Sequence, residues 1–71
     1  MNQRELVLKY IEDFGSITSY DAVKDLGIIE LPKRVSELRK LGFDIVGTQE
    51  KSINRYGKPC HYHRYTLRAS A

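Results

Sequence analysis

Apolar residues keep a helical spacing as far as Leu41, and from Phe43 onward they fall in β-branched, strand-forming runs. A chain that switches from a period near 3.6 to a period of two places helices first and a sheet after them. All of this happens within 71 residues, which suits one small domain and leaves no room for a second. We therefore expect one domain over residues 1–68 and a short tail at 69–71.

Leu6, Val7, Tyr10, Ile11 and Phe14 share one face of a helix over residues 4–14, and Gly15 follows where a left-handed residue closes it. Residues 16–18 leave room for a short extended piece with Ile17 inward. Ser19 suits an N-cap and Asp21 the positive end of a helix dipole. A second helix of about two turns, with Ala22, Val23 and Leu26 as its apolar stripe, then runs to Gly27. After Ile28, Ile29 and Glu30, Pro32 suits the first helical position of a third helix that Gly42 ends. Leu31, Val35, Leu38 and Leu41 turn that helix to the core with Ile28 behind them, and Lys33, Ser36, Glu37 and Lys40 face out.

Residues 43–49 and 60–67 read as strands, and Asn54-Arg55-Tyr56-Gly57-Lys58-Pro59 between them as a turn. With its tip near Tyr56, cross-strand partners sum to about 112, which sets Ile45 against Leu67, Gly47 against Tyr65 and Gln49 against His63. Ile45, Tyr65 and Leu67 then share a buried face, a pattern that a slip of one residue would lose. Residues 50–60 have little to bury and should project, with Gly57 supplying the positive φ of the turn.

Charge divides the chain in the same way. Residues 1–30 carry three bases against six acids, and residues 31–71 carry nine bases against three acids, for a net charge of +3 overall. The single cysteine, Cys60, forms no internal disulfide, which fits a reducing compartment and a core held by packing or dimerisation. A mean hydropathy of -0.48 and the lack of any apolar run near the roughly 20 residues of a membrane span exclude a membrane class. Residues 1–5 lack the basic-then-apolar order of a secretory signal, so a cytoplasmic location is expected.

Helix, short strand, helix, tight turn, helix and long hairpin is the order of an α+β winged helix-turn-helix, with the hairpin as the wing. The segments Ile17-Thr18-Ser19, Leu26-Gly27-Ile28, Arg34-Val35-Ser36-Glu37-Leu38-Arg39 and Asn54-Arg55-Tyr56-Gly57-Lys58 occur with Tyr62, Arg64, Tyr65 and Leu67. Together they resemble the small winged helix-turn-helix DNA-binding proteins of bacteriophages and prophages, over nearly the whole chain. The resemblance implies a fold and a double-stranded DNA-binding class rather than a biological role; a phage or prophage transcriptional regulator is the function we expect. Pro32-Lys33 departs from the family pattern of a small hydroxyl residue and alanine, at positions that would face bases.

On the third helix, Lys33, Ser36 and Glu37 are the candidates for base edges and Lys40 for a phosphate. Arg34 and Arg39 flank the apolar stripe, where each either joins the DNA face, lies along the core, or pairs with an acid of the first two helices. In the hairpin, Lys51 and Lys58 suit phosphates, Arg55 a narrow minor groove, and Tyr56 a sugar or the backbone, beside Asn54. The plainer readings are a solvated helix face and a hairpin whose lysines and arginines discourage edge pairing.

Cys60, His61 and His63 are zinc-ligand types, but alternation sends Cys60 away from the two histidines and no second ligand cluster completes a tetrahedron. No metal and no cofactor is expected. Nor is catalysis, because there is no glycine-rich phosphate loop and no nucleophile with an evident base. The competing function is an adaptor or inhibitor that binds a host protein through the same fold, and a homodimer or a host or phage protein partner is compatible with the sequence. Single-stranded RNA binding would want more surface aromatics than Tyr56 and Tyr62.

Overall fold

The structure, a computed structural model, describes residues 1–68; the tail expected at 69–71 lies outside the described residues. Helix α1 spans Gln3–Phe14. Asn2 starts it by accepting a hydrogen bond from the Glu5 backbone N–H at 2.8 Å, and Gly15 closes it in the left-handed conformation. Strand β1, Ile17–Thr18, is followed at once by helix α2, Ser19–Asp21, which continues as a π-helical turn over Ala22–Leu26. Helix α3, Leu31–Lys40, and the strands β2, Ile45–Ile53, and β3, Pro59–Leu67, complete the chain. Three helices and an antiparallel hairpin are thus in the expected order.

The cap of the second helix lies one residue earlier than Ser19. Thr18 accepts from the Asp21 backbone N–H at 3.1 Å, and the Asp21 carboxylate accepts from the Thr18 N–H at 3.0 Å. This reciprocal capping box satisfies two donors, where Ser19 has no acid three residues on to answer it. Of the stripe expected behind it, Ala22 is buried and Leu26 half-buried, but Val23 is exposed. The i→i+5 bonding of a π turn swings successive side chains through a smaller angle, and Val23 falls outside the core sector.

The sheet has the order β1-β3-β2. The β2–β3 register pairs Ile45 with Leu67, Gly47 with Tyr65 and Gln49 with His63, as the turn position dictates. Strand β1 pairs Ile17 with Tyr65 and Thr18 with Arg64. Tyr65 therefore lies between Ile17 and Gly47, and the bare Gly47 accommodates its ring.

Val7 and Ile11 from α1, Ile17 from β1, Ala22, Ile28, and Leu31, Val35 and Leu38 from α3 pack on Ile45 and Tyr65 of the sheet. Besides Val23, three residues assigned to apolar faces by spacing lie outside this core. Phe14 is 70% exposed because it ends α1 a turn beyond the core, Leu41 is 62% exposed because α3 has ended, and Leu67 stands at the open end of the sheet, 40% exposed.

Candidate nucleic-acid interface

The outward face of α3 presents Lys33, Ser36 and Lys40, all exposed, at i, i+3 and i+7. Arg34 and Glu37 do not stand free beside them. They sit three residues apart on the helix, with a guanidinium-to-carboxylate distance of 3.3 Å and side chains 21% and 33% exposed. Arg34 thus finds its acid within its own helix rather than on α1 or α2, at a spacing the sequence itself displays. Arg39 turns back to the sheet, where its Nε donates to the Ile45 carbonyl at 3.0 Å.

Every residue from Lys51 to Pro59 is exposed. A nine-residue strand runs about 30 Å, longer than two of the molecule's extents of 39, 27 and 20 Å, so the hairpin reaches past the helices. Asn54 builds its tip: its Oδ1 accepts from the backbone N–H groups of Tyr56 at 2.9 Å and Lys58 at 3.1 Å, and Gly57 takes φ +76°. This is an Asx turn, which leaves Arg55, Tyr56 and Lys58 displayed around it. Cross-strand partners point to one face, so Gln49, Lys51, His61 and His63 extend the face whose inner pairs hold Ile45 and Tyr65 in the core. They overhang on the side of the sheet where the helices pack. Of these four, only Lys51 stands out in the sequence by charge; the period of two running outward from Ile45 is the signal that gathers the others.

The nine bases of residues 31–71 thus sort into two groups. Arg34 and Arg39 are engaged as described, Arg64 reaches Glu50, and Arg68 lies 3.6 Å from Asp44. Lys33, Lys40, Lys51, Arg55 and Lys58 remain displayed, with Lys33 loosely near Glu30 at 3.9 Å. All five lie on α3 or the projecting hairpin.

A family model described as a winged helix-turn-helix domain matches residues 2–70. The chain belongs to the winged helix-turn-helix family. It matches no curated protein and no solved structure. This fold is of a DNA-binding, ordinarily non-catalytic class, with α3 in the place of the recognition helix and β2–β3 as the wing. Among the described residues, no helix is long and apolar enough to cross a membrane.

The wing of this winged helix is tied down at its root by Arg64. Its Nε donates to Glu50 at 2.7 Å and its Nη1 to the Ser16 hydroxyl at 3.0 Å, with the Tyr62 ring 6.0 Å away. One guanidinium therefore links both wing strands to the bend between α1 and β1. The Arg64 hydrogen bond, helped by Tyr62, holds the Glu50 carboxyl below the usual glutamate range and pushes the Arg64 guanidinium up. A lowered folded-state pKa means that the pair stabilises the fold above the ordinary glutamate range and is lost as pH falls through the lowered value. In an NMR pH titration, the Glu50 carboxyl carbon is expected to stay ionised below pH ~4.3, and Arg64→Gln to return it to that range. A Glu50 that titrates at the ordinary value in the native chain contradicts the assigned pair.

Proposed function

We propose that this protein is a double-stranded DNA-binding transcriptional regulator of the phage and prophage type it resembles, acting in the cytoplasm or nucleoid. The observation that carries the reading is the sorting of its bases. Among the bases of residues 31–71, Arg34, Arg39, Arg64 and Arg68 each reach an acceptor of the fold, and the other five cations are gathered on the two elements a winged helix applies to a duplex. Helix α3, ten residues and about 15 Å long, fits along about four base pairs of a major groove. Lys33 and Ser36 near its leading end then meet base edges, and Lys40 meets a phosphate. Lys51 and Lys58 take phosphates alongside, Arg55 the minor groove and Tyr56 the sugar edge. Arg34, Glu37 and Asn54 act one step back, the first two by fixing the helix surface and Asn54 by shaping the wing tip. Two copies on half-sites one helical turn apart would double a contact set that is small for a single domain.

Fluorescence anisotropy on random duplex DNA across a salt series tests this. With each of the five displayed cations releasing about one counterion, whether it meets a phosphate or lies in a groove, the log–log slope is about −4 to −5, and Lys33→Ala/Lys40→Ala and Arg55→Ala/Lys58→Ala should each reduce it by about two. No binding at about 50 mM salt, or a slope that neither pair changes, overturns the reading.

A further inference from the structure

A shallow groove runs between α1 and the π turn, lined by Leu6, Tyr10, Phe14 and Leu26 on its floor and by Lys9, Asp13 and Asp25 at its rim. No residue of α3 or of the wing lines it, so it is separate from the nucleic-acid interface. Its floor is built rather than incidental. The Tyr10 and Phe14 rings pack at 4.6 Å, and the Tyr10 hydroxyl donates to Asp25 at 2.6 Å, which fixes the ring across the groove. Phe14 is the most exposed part of that floor, an aromatic side chain that burial in this chain leaves unused.

The charge at the rim decides what can cover it. Lys9 is already paired with Asp13 at 3.3 Å, which leaves Asp25, with Asp21 close behind, as unneutralised charge. The Tyr10 phenol registers this: its hydrogen bond to Asp25, then desolvation and the nearby charge of Asp21, push its pKa to about 12. A second copy offering the same groove would bring no free positive charge to Asp25, because its rim base, Lys9, is already paired with Asp13. A segment with positive charge beside an apolar stripe meets both the floor and the rim.

We propose that this groove is a docking surface for a basic amphipathic helix of a partner protein, seated between α1 and the π turn. Leu6, Tyr10, Phe14 and Leu26 receive the partner's apolar side chains at i, i+3 or i+4 and i+7, and Asp25 faces its lysines or arginines. The site lies outside the DNA-facing elements, so it stands or falls independently of DNA binding and lets one copy hold duplex and partner together.

The probe is a peptide of about 16 residues, long enough for a helix in the bound state, with leucines at helical spacing and lysines between them. Controls carry glutamates for the lysines, or the same composition with the spacing scrambled. Titrated into the ¹⁵N-labelled full chain, the lysine peptide is expected to move the resonances of Leu6, Tyr10, Phe14, Asp25 and Leu26. Phe14→Ser is expected to weaken binding about tenfold or more. Asp25→Asn, which keeps an acceptor for the Tyr10 hydroxyl, should weaken the lysine peptide while leaving the weak glutamate control unchanged. Both positions are exposed, and unchanged resonances outside the groove establish that the variants fold. The proposal is overturned by no binding, by equal binding of the lysine, glutamate and scrambled peptides, or by affinity unchanged in Phe14→Ser. Shifts confined to Leu8, Phe43 and Leu67, which line a separate hollow beside Gly15, also overturn it. So do groove shifts that grow with protein concentration before peptide is added, which would make a second copy the occupant.

Discussion

Replacing Leu38 by alanine is expected to lower the melting temperature by about 15–20 °C, whereas the same change at Leu41, three residues on, should hardly move it. Leu38 is 1% exposed and belongs to the core that α3 forms with α1 and the sheet. Truncating a buried leucine costs about 3 kcal/mol, from lost transfer free energy and from the cavity left behind. A domain this small is held by roughly 5 kcal/mol in all, and each kcal/mol shifts its midpoint by about 4–8 °C. The core has few neighbours able to close the gap, because ten side chains make up its buried apolar set among the described residues and no internal disulfide supports them. Leu41 has only a partial contact to lose, a change within about 0.5 kcal/mol. Thermal unfolding followed by far-UV circular dichroism separates the two. Equal shifts would mean that α3 continues past Lys40 and packs Leu41 as its spacing suggests.

That pair of leucines marks where the sequence could be read and where it could not. The hairpin register was legible to the residue because a turn centred on Tyr56 and a period of two leave one solution, and every pair from Ile45–Leu67 to Ile53–Pro59 obeys it. Burial along α3 was legible for Leu31, Val35 and Leu38 for the same reason. Periodicity, however, says which face a residue is on and not whether anything lies opposite it. Phe14 and Leu41 keep the right phase at helix ends that outrun the core. Val23 escaped for another reason, since nothing in its neighbours announces a π turn.

The candidate interface was legible as a set of elements but not as a set of free charges. Whether Arg34, Arg39, Arg64 and Arg68 face a ligand or the fold depends on Glu37, the Ile45 carbonyl, Glu50 and Asp44. Only the first of these partners is close enough in sequence to be anticipated. The planar guanidinium explains the division of labour. Its directed donors suit fixed acceptors inside the fold, and lysine, a flexible point charge, is left to the surface. Arg55 is the exception at the wing tip, where a narrow groove would favour a guanidinium.

Shortening the wing is expected to separate fold from function most sharply. Lys51 and His61 are cross-strand partners, so replacing residues 52–60 by Asn-Gly joins them through a two-residue turn whose backbone suits the strand twist. The register of the inner pairs is kept, Arg64 and Glu50 stay in place, and no fully buried side chain is removed. The melting temperature should therefore change by less than about 5 °C. Duplex binding loses Arg55 and Lys58. Two phosphate-type contacts contribute a slope of about 1.8, which at 0.1 M salt corresponds to about 50-fold in affinity. Anisotropy titrations at several salt concentrations read both quantities at once. Unchanged affinity would remove the wing from the interface and leave binding to α3 alone. A 50-fold loss with the native slope would shift the wing's role from its charges to Tyr56, the exposed ring at the tip, because contact with a sugar or a base step releases no counterions.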